Sequence, residues 1–247
     1  MYFRAAINIK LMRLLLISNS TNAGEAYLDY PKEQIREFLG PEKKTCLFIP
    51  YAAVTFSFNE YEEKVKERFN EVGHDVRSIH KYLDPVQAIE EAEAIVVGGG
   101  NTWQLTKMLQ DKGLMKHIIK KVRNDTPYIG WSAGSNLACP SIKTTNDMPI
   151  VQPESFNVLK LVPFQINPHY LDANPDGHAG ETREMRIEEF LEVNRKIYVV
   201  GLREGTMLKL ENDHLKLLGP KNARVFKYGT EPKEVSGESD LAFLLKK

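Results

Sequence analysis

Short β-prone runs alternate with longer mixed stretches through the first half of the chain. Leu14–Ile17, Cys46–Ile49, Val76–Ile79 and Ala94–Val97 are brief, strand-like and bounded by loop residues. Between them, Pro31–Leu39, Phe58–Val72 and Pro85–Glu93 mix Glu, Lys and apolar positions at helical spacing, and Pro31 suits a first helical turn. Two further helices follow, Thr102–Gln110 and Leu114–Asn124, the second ending in a basic turn that complements a helix C-terminus. This alternation predicts an α/β fold, a mostly parallel sheet with helices on both faces. In such folds ligand sites gather beyond the carboxyl ends of the strands.

Past Pro140 the pattern loosens into SIKTTNDMPIVQPESFN, which suits a long loop with one short strand at Ile150–Val151. A strand at Val162–Ile166 would deliver Asn167-Pro168-His169-Tyr170 to its far end. A helix from about Glu181 and a strand at Ile197–Leu202 lead to the turn Arg203-Glu204-Gly205. From Thr206 onward the runs are short and alternating, with Asn-Asp and Gly-Pro punctuation, and predict C-terminal antiparallel strands. LAFLLKK is apolar enough for a terminal strand or a docking segment.

Composition narrows the partners. With Lys plus Arg and Asp plus Glu at 33 each, the formal net charge is zero and no global field recruits nucleic acid or an anionic membrane. The run from Leu14 is too brief for a signal-peptide core or a membrane span, so a soluble protein is expected. Cys46 and Cys139 lack metal or redox spacing and suit small buried positions in a reducing compartment, the cytoplasm. The 247 residues suffice for one α/β domain.

Chemistry concentrates in YIGWSAGSN, Tyr128–Asn136, where Gly130, Ser132 and Gly134 form G-x-S-x-G after a short strand. A sharp strand-to-helix corner with small neighbours exposes the hydroxyl of its central serine. A serine needs an imidazole to take its proton and an acid to orient that imidazole. Of the six histidines, only His169 follows a predicted strand end. His74, His80, His117 and His214 have no companion motif, and His178 sits in a polar loop. The turn Gly98-Gly99-Gly100-Asn101 also falls at a strand's carboxyl end.

Together, GGGN, GWSAGSN, KTTNDMPIV, QINPHY, GHAGETRE and GLREG closely resemble the aspartyl dipeptidases of serine peptidase family S51, in order and with similar spacing. The resemblance runs from about Met12 to the C-terminal strands. The eleven residues before Met12 fall outside it and are expected to be a poorly ordered N-terminal extension. It implies a nucleophile-elbow hydrolase fold like that of class I glutamine amidotransferases, with Ser132 as nucleophile and His169 as general base. Backbone N–H groups of Gly100 and Ala133 would form the oxyanion hole. Asp147 and Glu204 both match family motifs for the third acid, and the sheet-end position favours Glu204. The implied substrates are Asp-Xaa dipeptides, with Arg183 as the cation for the aspartate β-carboxylate. No cofactor or metal is implied, and a homodimer is one option for assembly.

Ser135, Tyr170 and Arg203 depart from the usual residues of these motifs, and none removes a catalytic group. One rival keeps the chemistry but acts on aspartyl polymers, as cyanophycinase-like relatives do. A second is a non-enzymatic nucleotide-binding module built on GGGN, although Trp103 stands where G-x-G-x-x-G needs its third glycine. A metal hydrolase using His169, His178 and Asp147 lacks any tight ligand spacing.

Overall fold

The computed structural model describes residues 12–174, 176–177 and 179–246. The expected N-terminal extension, residues 1–11, and His178 lie outside the described residues. The first strand, β1 (Leu14–Ile17), is followed by α1 (Lys32–Leu39), β2 (Thr45–Ile49), α2 (Phe58–Glu71), β3 (Asp75–Ser78), α3 (Pro85–Glu91) and β4 (Ala94–Val97). Next come α4 (Thr102–Asp111), α5 (Met115–Arg123), β5 (Tyr128–Trp131) and α6 (Ala133–Leu137). Local capping explains several helix starts. Ser57 and Glu60 form a reciprocal capping box before α2, and Asp84 and Asn101 accept first-turn amides of α3 and α4.

The second half contributes β6 (Gln165–Tyr170), α7 (Arg183–Val193), β7 (Tyr198–Arg203), β8 (Met207–Glu211), β9 (His214–Leu218), β10 (Ala223–Lys227) and β11 (Thr230–Val235). A seven-stranded sheet has the order β3-β2-β4-β5-β1-β8-β9, parallel from β3 to β1 and antiparallel at β8 and β9. The other strands make a four-stranded sheet of order β11-β10-β7-β6, in which only β6 and β7 run parallel. The strands that carry His169 and Glu204 therefore belong to a different sheet from the one that carries Ser132.

Strand periodicity accounts for the layers. Leu14, Leu16, Leu47, Ile49, Ile95 and Val97 face one core, whereas Leu15, Ile17, Cys46, Phe48, Ala94 and Val96 face the other, under α1 and α2. Ile166, Val200 and Leu202 of the smaller sheet join the first core, and its opposite face packs on Ile187 and Leu191 of α7. Burial pushes the free thiols of Cys46 and Cys139 up to about 12, so both are protonated packing groups.

Three expectations shift. Ile150–Val151 is an irregular, partly exposed loop. LAFLLKK forms a 3-10 turn at Ala242–Leu245 that docks Leu241 and Leu244 into the core, so the docking alternative describes it and the strand does not. The strand expected at Val162–Ile166 begins later: the amides of Leu161 and Val162 bond to Ala138 O, and β6 takes in His169 itself. Pro168 is tolerated because β6 is an edge strand, where a missing N–H breaks no ladder.

Candidate active site

β5 ends against α6 with a single residue, Ser132, at the corner. Its backbone lies at φ 52° and ψ −110°, a region that a side chain rarely occupies, as a nucleophile elbow requires. The flanking glycines are demanded by contact: a Cβ on Gly130 would lie 2.5 Å from Gly134 O, and one on Gly134 would lie 2.3 Å from Val97 O. Ser135, fully buried behind the elbow, places Oγ 2.7 Å from Ile17 O and 2.9 Å from Gly130 O. A small apolar residue there would forgo that bond between β1 and the elbow.

His169 sits in a bulge. Pro168 pairs with Leu202 and Tyr170 with Arg203, so His169 is the extra residue of β6, at φ 53°. Its orphaned amide donates to Ser18 Oγ at 3.0 Å, and the same hydroxyl donates to Leu202 O at 2.7 Å. Ser18 is fully buried at the carboxyl end of β1. One hydroxyl thus joins the seven-stranded sheet to β6 and β7 of the smaller one. The next residue, Asn19, accepts from the Gly205 amide at 2.9 Å and from the Tyr30 hydroxyl at 2.8 Å.

The imidazole so aimed has two partners. His169 Nε2 lies 3.0 Å from Ser132 Oγ, and Nδ1 lies 2.7 Å from Glu204 Oε1. Asp147 is elsewhere: its Oδ2 accepts from the Thr102 amide at 2.7 Å and the Thr145 hydroxyl at 3.0 Å, at the start of α4. The loop that carries it is stitched to β6, with Thr144 Oγ1 donating to Ile166 O and Asn146 Nδ2 to Pro168 O.

The glycine turn faces the elbow. A Cβ on Gly99 would meet Trp131 Cδ1 at 2.9 Å and Ser132 Cβ at 3.1 Å, and Gly100 has φ 129° with Ala52 O in the way of any side chain. Buried Tyr61, its hydroxyl pushed up to about 12 by burial, donates to Gly99 O at 2.9 Å. Because the peptide is planar and trans, tying that carbonyl to Tyr61 points the Gly100 N–H the opposite way. Ala133 opens α6, so its N–H has no intrahelical acceptor.

Two cavities take in the candidate residues, and only the first borders the serine and the imidazole. The larger, about 580 Å³, is lined by Ser132, His169, Gly99 and Gly100 together with Tyr27, Phe56, Tyr61 and Trp131. A smaller one of about 210 Å³ holds Asp147, Asn146, Asn167 and Arg183. Arg183 is the first residue of α7, after the cap Thr182. It pairs with neither neighbouring acid: Glu181 faces Arg186 and Glu184 bonds Arg224 at 2.9 Å. Burial and the adjacent Arg186 lower the Arg183 guanidinium pKa, and Asp147 acts in the opposite sense.

Arg203, the last residue of β7, has its guanidinium engaged away from the relay. It bonds Asp172 and both carboxylate oxygens of Glu234. Ser18, Asn19 and Tyr61 escaped sequence reasoning. The signal available for the first two was their position just beyond the carboxyl end of β1, and Tyr61 looks like any apolar helix position. Among the described residues, no three His, Cys, Asp or Glu side chains group as a metal site, and no helix is long and apolar enough to cross a membrane.

Residues 14–218 match the model of peptidase family S51. A peptidase E of Nostoc sp. is 53% identical over 95% of this chain and 97% of its own length. A peptidase E of Streptomyces coelicolor is 48% identical over 95% of each. Among solved structures, a putative peptidase E of Listeria monocytogenes has a TM-score of 0.64 at 22% identity, covering 85% of this chain and 99% of its own. A peptidase from an acI-B1 actinobacterium has a TM-score of 0.67 at 17% identity, covering 93% and 96%. These two share the fold.

Proposed function

The chain belongs to peptidase family S51, and on that premise we propose that it is a serine dipeptidase that cleaves Asp-Xaa after an N-terminal aspartate. Ser132 Oγ attacks the aspartyl carbonyl carbon while His169 Nε2 takes the hydroxyl proton. Glu204, hydrogen-bonded to Nδ1, fixes the tautomer and stabilises the imidazolium that forms. The Gly100 and Ala133 amides receive the oxyanion. Collapse breaks the C–N bond, and His169 gives its proton to the leaving amine. Water then attacks the acyl-enzyme by the same proton route in reverse, releasing aspartate and restoring Ser132.

The observation that carries this reading is the relay from Glu204 Oε1 to His169 at 2.7 Å and on to Ser132 Oγ at 3.0 Å, with the serine at a strained corner. The smaller cavity supports the aspartate preference, because, of its two guanidiniums, Arg186 faces Glu181 while Arg183 lacks a carboxylate partner among the described residues. Arg183 receives the substrate β-carboxylate there, and Asp147 receives the free α-amine. A reducing compartment such as the cytoplasm suits the two buried free thiols.

A panel of dipeptides with wild type and Ser132→Ala tests the assignment. Cleavage confined to Asp-Xaa, and abolished in the variant, is expected. Equal hydrolysis of Ala-Xaa, or activity retained by Ser132→Ala, overturns it.

A further inference from the structure

The larger cavity has more chemistry than the relay alone uses. If the aspartyl half of the substrate occupies the Arg183 cavity, the released residue must lie on the side from which His169 can protonate its nitrogen. His169 and Ser132 both line the larger cavity, whose volume of about 580 Å³ falls within the usual range of small-molecule sites. Its walls are aromatic: Tyr27, Phe56 and Trp131 offer apolar surface to a side chain of varied size.

One cation stands in that wall. Lys64, on α2, places Nζ 4.2 Å from the centroid of the Tyr27 ring. Glu60, one turn earlier, would be its natural partner, since Glu four residues before Lys is the favourable helical order. The Glu60 carboxylate, which also lines this cavity, is turned back to the start of the helix: its Oε2 accepts from the Ser57 amide and the Ser57 hydroxyl, each at 2.8 Å, and those bonds lower its pKa. Lys64 makes no ion pair with it among the described residues and is held instead against the Tyr27 ring in the cavity wall.

We propose that this cavity is the leaving-residue site and that Lys64 binds the free α-carboxylate of that residue. The assignment rests on the dipeptidase reading above and adds a substrate feature to it. A dipeptide ends in a carboxylate at the point where a longer peptide continues as a neutral amide. A cation at that point therefore favours two-residue substrates by charge, without requiring the cavity to be closed.

The test compares Asp-Leu with Asp-Leu-amide, which differ only in that carboxylate, in wild type, Lys64→Met and Lys64→Arg. The readout is the ratio of kcat/KM for the acid to that for the amide. Losing one charge-assisted contact corresponds to roughly 10- to 100-fold. Wild type and Lys64→Arg are expected to show a ratio of that order, and Lys64→Met a ratio near unity, chiefly through KM for the acid. A wild-type ratio near unity, or the same high ratio in Lys64→Met, overturns the assignment. Failure of the underlying reading looks different: wild type then cleaves neither aspartyl substrate, and the Lys64 assignment falls with it.

Discussion

Glu204 and Asp147 are two acids in motifs of equal standing, and the fold gives them opposite company. Glu204 follows a strand that ends beside a bulged neighbour, so its carboxylate meets an imidazole at 2.7 Å. Asp147 hangs on a loop laid across the start of α4, where a first-turn amide and a hydroxyl claim its Oδ2. What separates them is the set of donors that reach each carboxylate first. The difference extends to the cavities: the imidazole that Glu204 meets borders the larger one together with Ser132, whereas Asp147 lines the smaller one beside Arg183, which makes no ion pair among the described residues.

The largest predicted effect breaks this comparison if it comes out reversed. A fluorophosphonate probe needs the activated serine but no aspartyl recognition. Glu204→Gln should therefore slow labelling of Ser132 by roughly 1000-fold or more, as expected when an imidazole loses its orienting carboxylate. Asp147→Asn should label at close to the wild-type rate, yet lose roughly 10- to 100-fold in kcat/KM on Asp-Xaa through the missing contact to the α-amine. Fast labelling of Glu204→Gln with slow labelling of Asp147→Asn would exchange the two roles.

A smaller effect sharpens why Glu204 and not Asp147 meets the imidazole. The bulge at His169 turns its side chain toward both Ser132 and Glu204, and Ser18 is the group that satisfies that bulge. Ser18→Ala would take their hydroxyl partner from a part-buried N–H and a buried C=O, at a cost of about 1–3 kcal/mol. Unfolding in denaturant should show that loss. The kcat for Asp-Xaa should fall roughly tenfold with KM little changed, since Ser18 lines neither of the two cavities. Unaltered kcat would mean that the bulge holds its geometry without the hydroxyl.

Much of this architecture is legible in sequence because each piece is local. Alternating runs such as Leu14–Ile17 and Ala94–Val97 specify strands buried on both faces, and G-x-S-x-G specifies its own corner. The second sheet is not local. Nothing in Gln165–Tyr170 or Tyr198–Arg203 marks them as pairing with each other and not with β1, whose open side is taken by β8. The same holds for Ser18, whose partners lie 151 and 184 residues away. Choosing between the two acids required the backbone of α4, which no motif displays. The partners of Arg203 are likewise distant, Asp172 and Glu234, and its strand ends one residue later than the pattern suggests.

The smallest predicted effect concerns that arginine, the immediate neighbour of Glu204 and a control for the comparison. Arg203 lies on the far side of the strand, bonded to Asp172 and Glu234, so it stabilises the sheet and leaves the relay alone. Arg203→Met should keep kcat for Asp-Xaa and lose roughly 1 kcal/mol of unfolding free energy near neutral pH, since both carboxylates remain partly solvated. The sign of its pH dependence follows from Asp172, whose pKa is lowered chiefly by its hydrogen bond to Arg203. A carboxyl depressed in the folded state contributes stability above its unfolded pKa of about 3.9, and loses that contribution as pH falls through the folded value. The gap between wild type and Arg203→Met should therefore be full at neutral pH and narrow below about pH 4. Urea unfolding of both proteins across that range measures it. A gap that widens on acidification, or a large loss of kcat, would place Arg203 on the Glu204 side of the divide.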